Sequence, residues 1–327
     1  MHKRIVNEAI IELEISPAGP ILVESGGQGA DPTKPDMEFV ETYHAGGKTV
    51  YLPGSSLKGA LRSHCERIVR SVGSDRHVDS GVWSCDPLDD RSYCRRTLNG
   101  RNSQTIYRES CTICKLFGST QMASHLRIYD AYPTKPQEII LEERNGVAID
   151  RVFGSVAVGP FNYQVVTAGT FVTKIYLKNF ITAQLGLLAL TIRDFDEQRV
   201  GIGFARTRGM GQIYMKAKSI EIIYPAAIIE NERIKTLGVT NSAKVEDVFG
   251  KQHRTYPPNE ILGAGCFVVN HENYGYPSND RISVSVTASA DEFGFGVIQK
   301  FADERQIVNL WRACVGAFRN LVEGRVG

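Results

Sequence analysis

Apolar and polar positions alternate from Arg4 to Ile15, with Ile11, Leu13 and Ile15 on one side and Glu12 and Glu14 on the other, which predicts a half-buried strand. Gly19 to Gly47 carries ESGGQGADPTKPD, whose glycines and prolines continue neither a strand nor a helix, and predicts a loop. The hydroxyl N-cap candidates Ser55 and Ser56 follow Pro53-Gly54 and precede Leu57, Leu61, His64/Cys65, Ile68 and Val72 at helical spacing, which predicts a helix stopping at Gly73. Leu126 to Tyr132 and Thr170 to Phe180 read as strands, and Ala183 to Ile192 as a short apolar helix. In Ile213 to Tyr224, the apolar Ile213, Met215 and Ala217 alternate with Tyr214, Lys216 and Lys218, giving a last strand. The order strand, helix, strand, strand, helix, strand predicts an α+β, ferredoxin-like (RRM-like) βαββαβ fold.

Two stretches interrupt that order. Gly73 to Thr120 is polar, rich in cysteine and arginine and without a period, so it reads as an inserted lobe over 73–120 that needs a staple; the stretch AIDRVFGSVAVGPFNYQVV forms a second insertion over about 145–170. Pro225 marks a change of organisation. The first unit is therefore placed at 1–225, and 226–327 is an extension with loop-rich YPPNE and GYPSND, a strand at Ile282 to Ala288 and a terminal helix. Ile307, Leu310, Trp311, Cys314, Phe318 and Leu321 form one apolar face of that helix, expected to pack in the core.

Composition narrows the function classes. Against 36 Asp+Glu the 327 residues carry 38 Lys+Arg, a net charge of +2, which excludes a general polycation but allows a locally basic groove. The longest uncharged run, Val152 to Thr173, holds Pro160, Asn162, Gln164 and three glycines, so no membrane span is expected. Glu8, Glu12 and Glu14 stand where a signal peptide would need an unbroken apolar stretch, and seven cysteines are too few for a disulfide scaffold of this length. The expectation is a cytoplasmic protein whose cysteines are thiols or metal ligands.

Cys85, Cys94, Cys111 and Cys114 crowd the first insertion, and the two-residue gap in Cys111-Thr-Ile-Cys114 lets both sulfurs face one tetrahedral cation. Four sulfurs would complete a structural zinc site, with His64, Cys65 or His77 near enough in sequence to replace one. A redox CxxC competes, but this one precedes LFGST in an expected loop rather than opening a helix after a strand, and SCDPLDDRSYCRRTLNGRNS is too polar to bury free thiols. HAGGKT is not a phosphate-binding loop, because Thr42 stands where its first glycine belongs and YLPG follows instead of a helix; Lys48 receives no nucleotide role. LPGSSLKGALR offers Ser55 and Ser56 hydroxyls, free helix-start amides, and Lys58 and Arg62 on one face, an arrangement suited to a phosphodiester backbone or to an ordinary capped helix. GIGFARTRGMGQI sets Arg206 and Arg208 among Gly201, Gly203, Gly209 and Gly211, so that guanidinium groups reach phosphates or stack on bases while the backbone comes close. Arg206 breaks the GxGxxG pattern and disfavours a dinucleotide fold. Asp31 and Asp36 lie in a Gly/Pro loop, as turn formers or as carboxylates able to hold a divalent cation or orient a hydroxyl.

The combination of LPGSSLKGALRS at Leu52 to Ser63, SCTICKLFGS at Ser110 to Ser119, AIDRVFG at Ala148 to Gly154 and GFARTRGMGQ at Gly203 to Gln212 resembles the RAMP superfamily. It is similar in particular to the repeated backbone subunits of type III CRISPR effector complexes, over roughly two thirds of the chain. The resemblance implies a palm that binds guide RNA, copies of the subunit or its homologues stacked along that guide, other effector subunits as partners, and complementary target RNA as ligand. It also implies a β-hairpin thumb that wedges between nucleotides, placing Arg151, Val152 and Phe153 near the RNA, with Gly203, Arg206, Arg208 and Gly209 on the strand. Zinc in the inserted lobe belongs to the same pattern. In cleaving members an aspartate in the loop after the first strand cuts target RNA with a divalent cation such as Mg2+; by its distance to PGSSLKG, Asp36 fits that position best, and Asp31 is the second candidate.

Overall fold

The computed structural model describes residues 4–24, 35–75, 81–237, 254–268 and 274–325. Strand β1 (Glu8–Pro17) leads through the hairpin β2 (Glu41–His44) and β3 (Gly47–Val50) to helix α1 (Gly54–Val72). The inserted lobe holds α2 (Cys94–Thr97), α3 (Ser103–Glu109) and α4 (Thr112–Phe117), three short helices where the polar sequence predicts none. Next come β4 (Leu126–Ile128), β5 (Tyr132–Pro133), the long hairpin β6 (Ile140–Ile149) and β7 (Val156–Ala168), then β8 (Phe171–Lys178), α5 (Thr182–Asp196) and β9 (Ile213–Tyr224). The remainder comprises β10 (Ala227–Glu230), β11 (Arg233–Thr236), β12 (Thr255–Tyr256), β13 (Glu260–Leu262), β14 (Arg281–Ser283), β15 (Ala288–Ala290), β16 (Val297–Phe301) and α6 (Glu304–Val322).

The main sheet is antiparallel, in the order β15-β16-β9-β1-β8-β4, with β5 also on β8. A first strand flanked by the last and the third is compatible with a ferredoxin-like fold in a mixed α+β protein. Alternation decides which face is covered. Ala9, Ile11, Leu13 and Ile15 of β1 and Ile175 and Leu177 of β8 are fully buried, on the two strands that lie between β9, which α5 contacts, and β4, which α1 contacts. In β9 the buried set runs Ile213 and Met215 and then switches parity to Ile220, Ile222 and Tyr224. A bulge opposite Glu12/Leu13 absorbs the extra residue and keeps both halves on the core.

The opposite face of the sheet is mixed in charge: Glu12 of β1 lies across from Lys174, Glu14 across from Lys216, Lys218 pairs with Glu14 at 3.6 Å and Lys300 with Glu221 at 3.0 Å. A polyanion gains little there, because the central strand is acidic.

Sheet and helical layer continue into the C-terminal region, since β16 extends the sheet from β9 and α6 lies on α5. The predicted strand over 282–288 is instead two separate strands, β14 and β15, with Val284 N–H bonded to the Asn259 carbonyl in between. Asp280 reaches back to α5, accepting hydrogen bonds from the Thr182 amide (3.0 Å) and hydroxyl (2.7 Å) at the helix start. At the α5–α6 crossing a methyl group on Gly186 would lie 2.1 Å from the Cys314 carbonyl oxygen. Gly186→Ala is therefore expected to push the helices apart and lower stability by about 1–3 kcal/mol or more, read by thermal denaturation; unchanged stability would show that this crossing is not close-packed. Among the described residues, no helix is long and apolar enough to cross a membrane.

Candidate nucleic-acid interface

The end of the sheet where β1 finishes gathers the segments of interest. There β8 begins, Phe171 opposite Ile15, and β9 begins, Ile213 opposite Pro17. Residues 18–24 leave β1 and run between two structures, bonding to each. On one side Ala18 N–H donates to the Gln212 carbonyl, Gly211 N–H to that of Pro20 and Phe204 N–H to that of Leu22; on the other, Ile21 and Val166 exchange both backbone bonds at 2.9 Å. The first is the arginine turn, Arg206–Arg208; the second is the base of the β6–β7 hairpin.

Backbone geometry makes the turn possible only with glycine at 203. Gly203 has φ +72°, and a Cβ there would sit 2.0 Å from the Leu22 carbonyl oxygen. Arg206, Arg208 and Gly209 are exposed. The Arg208 guanidinium lies 5.0 Å from the centre of the Phe204 ring, Phe204 meets Tyr163 of β7 edge-on at 6.2 Å, and Tyr163 meets Phe161 at 6.4 Å. Sequence reasoning missed Phe204 and Tyr163. Their only signal was an aromatic residue inside each glycine- or amide-flanked motif.

At the far end of the hairpin, the Asp150 carboxylate accepts from the amides of Val152 (2.7 Å) and Phe153 (2.8 Å), and Gly154 takes a left-handed φ of +66°. This local turn projects Arg151, Val152 and Phe153 outward; Val152 is 82% and Phe153 84% exposed. Asp36 is exposed beside the hairpin, one carboxylate oxygen accepting from the Asn162 amide at 2.8 Å. Asp31 lies outside the described residues.

Helix α1 starts at the same end. Its N-cap is Pro53 and not a serine; the Gly54 amide is taken by the Asp130 carboxylate at 2.7 Å, just before β5, and Ser55 and Ser56 are exposed in the first turn. Gly54 itself lies against Ile128 and Tyr129, so its close approach is to its own chain. The fold engages both cations of this motif internally. Lys58 donates to the Leu126 carbonyl at 3.2 Å, and burial followed by the nearby Arg62 charge lowers its pKa. Arg62 pairs with Glu66 at 3.0 Å, donates to the Gly118 carbonyl at 3.1 Å and approaches Cys114 Sγ at 3.8 Å. Burial opposes the Arg62 charge, but Glu66, Cys114 and Cys111 outweigh it and raise its pKa.

In the lobe, the ligand atoms of Cys85, Cys94, Cys111 and Cys114 lie within 4.8 Å of one another, and all four residues are buried. A tetrahedral zinc with bonds of about 2.3 Å requires sulfurs about 3.8 Å apart, and Cys85 and Cys114 sulfurs are 3.8 Å apart. Backbone amides already point at the sulfurs: Cys111 N–H donates to Cys94 Sγ and Cys114 N–H to Cys111 Sγ. Hydrogen bonds from Cys111, Cys114 and Cys94 hold Cys85 far below a free thiol, whereas contact with Cys111 first of all pushes Cys94 and Cys114 far above. Four thiolates coexist there only if a cation compensates them, so the residues fit a zinc ion. Two expectations change. The CxxC does open a helix, Cys111 being the N-cap of α4, and the polar lobe does bury all four sulfurs. His64 and Cys65 face α5 instead, 2.7 Å from Asp194 and 3.1 Å from Thr191, and His77 lies outside the described residues.

No curated protein matches the chain. Residues 15–214 match the RAMP superfamily, a span that runs from the end of β1 through the cysteine lobe and the hairpin to the arginine turn. That is more than half of the sequence, and the chain belongs to the RAMP superfamily.

Proposed function

We propose that the protein is a guide-RNA-binding backbone subunit of a type III CRISPR effector complex. RAMP proteins are generally CRISPR-associated RNA-binding proteins. The observation that carries the finer reading is the junction of the arginine turn and the long hairpin across residues 18–24, sealed by the Phe204–Tyr163 contact. An exposed arginine pair beside aromatic rings grips a ribose-phosphate strand without reading its sequence. Arg206 and Arg208 contact phosphates, Gly203 and Gly209 shape that turn, Val152 and Phe153 wedge between bases with Arg151 beside them, and Ser55 and Ser56 add hydroxyls at the start of α1. Base pairing to the guide then selects the target RNA. The ferredoxin-like core serves as palm, and the zinc-bound lobe braces α1 through Arg62.

Cleavage of the paired target is the further part of this reading. The 2′-hydroxyl beside a displaced nucleotide attacks its own phosphorus in line, the P–O5′ bond breaks, and a cyclic phosphate and a 5′-hydroxyl result, with Asp36 orienting the attacking hydroxyl. Among the described residues the only group of three or more His, Cys, Asp or Glu side chains close enough to hold an ion is the cysteine cluster. Mg2+ near Asp36 would thus have at most two described ligand side chains and would rest largely on RNA phosphates, supplying charge neutralisation. The hydrogen bond from Asn162 to Asp36 favours a second reading, in which the aspartate only fixes the hairpin and the subunit binds without cutting.

Binding is tested by titrating single-stranded RNA over a range of salt. Arg206→Ala/Arg208→Ala is expected to weaken binding about 10- to 100-fold and to reduce the log–log salt slope by about 1.4, at about 0.7 per phosphate contact. An unchanged slope would remove the arginine turn from the interface.

A further inference from the structure

On the β4–β5 side of the same end stands a set of rings that neither the motifs nor the arginine turn account for. The imidazole of His44 lies on the ring of Tyr132 with centroids 3.7 Å apart and planes 8° from parallel, and Tyr51 stacks on Tyr132 at 5.8 Å and 18°. Aromatic side chains inside proteins prefer offset or edge-on contacts at larger separations, whereas 3.7 Å and near-parallel planes are the spacing of stacked bases. His44 is exposed at the end of β2 and Tyr43 beside it is 82% exposed, while Tyr132 is half-buried and held in the sheet by pairing with Val172. Tyr132 is therefore the fixed middle ring of the column, and His44 is its exposed end. Lys48, the cation of this hairpin, is occupied by Glu41. The hairpin thus offers a π-surface rather than a charge.

We infer that the Tyr51–Tyr132–His44 column is a nucleobase platform: an unpaired base of a single-stranded RNA stacks on the open face of His44. Position supports this ligand over a peptide aromatic. Asp130, two residues before Tyr132, holds the first amide of α1, so the column adjoins the exposed Ser55 and Ser56. Strand β8 begins next to Tyr132 and, through β1, leads to the segment bonded to the arginine turn. A strand gripped at Arg206 and Arg208 and passing the start of α1 would present its bases to this rim. The inference rests on the reading of this end as the RNA site.

The test uses the full chain with a single-stranded RNA carrying 2-aminopurine, comparing His44→Ala, His44→Phe and the Arg206→Ala/Arg208→Ala variant, with melting curves for each. His44→Ala is expected to lose about fivefold to 100-fold in affinity together with the quenching of 2-aminopurine, at unchanged melting temperature. His44→Phe, which keeps a ring, is expected to bind within a few-fold of wild type. If His44→Ala binds as tightly as wild type while the arginine variant is weakened, or if Ala and Phe lose equally, the platform alone is overturned. A wild-type chain that binds no RNA overturns the platform and the proposed function together.

Discussion

Cys111→Ser/Cys114→Ser is expected to empty the lobe of zinc and to destabilise the protein by several kcal/mol, about 10 °C or more in Tm. The four sulfurs come from separate segments: the irregular residues after Trp83, the start of α2 and the start of α4. Arg62 and Arg70 tie α1 to the same cluster, Arg70 donating to the Cys85 carbonyl at 2.6 Å. The lobe's own helices are four to seven residues long, too short to persist without an anchor. Serine is a favourable N-cap, so replacing Cys111 preserves the cap of α4 that its sulfur now provides to the Cys114 amide, and the loss reports the metal. Elemental analysis is expected to find one zinc per wild-type chain and none in the variant. A variant that keeps full stability, or a wild type without zinc, would reduce the cluster to buried thiols.

For Asp36 the expected result is a loss of at least about 100-fold in target-RNA cleavage by the assembled complex in Asp36→Ala, with guide binding held within a few-fold. The informative companion is Asp36→Asn. Its amide oxygen can still accept from the Asn162 amide, so the hairpin contact persists, but the negative charge is gone. If the carboxylate acts on the hydroxyl or a cation, Asn and Ala are equally inactive. If it serves the hairpin, Asn restores what Ala loses. Cleavage unaffected by either substitution would remove Asp36 from the chemistry and leave a binding subunit.

Local pattern carried the elements that matter most to the core. The alternation in β1, the heptad-like spacing of α1 from Leu57 to Val72 and the apolar run of α5 are each visible within a dozen or so residues. What escaped was non-local. Asp130, distant in sequence, supplies the partner that frees Ser55 and Ser56 from capping α1, and the Gly118 and Leu126 carbonyls engage Arg62 and Lys58. The lobe's helices escaped because their order derives from four converging sulfurs rather than from an apolar period. The clustering of those cysteines was legible in their spacing, although the burial of their sulfurs was not. Likewise, GFARTRG announced its arginines, but only the tertiary structure brings Phe204 to Tyr163 and places the turn against the hairpin.

The most direct test of that shared end is photocrosslinking of guide RNA carrying 4-thiouridine to the full-length protein in its assembled complex, followed by peptide mapping. The account predicts adducts on the hairpin tip around Val152 and Phe153 and on the Phe204–Arg208 turn. Adducts confined to the open face of the sheet, at Tyr176 and Tyr214, or to α6, would contradict it.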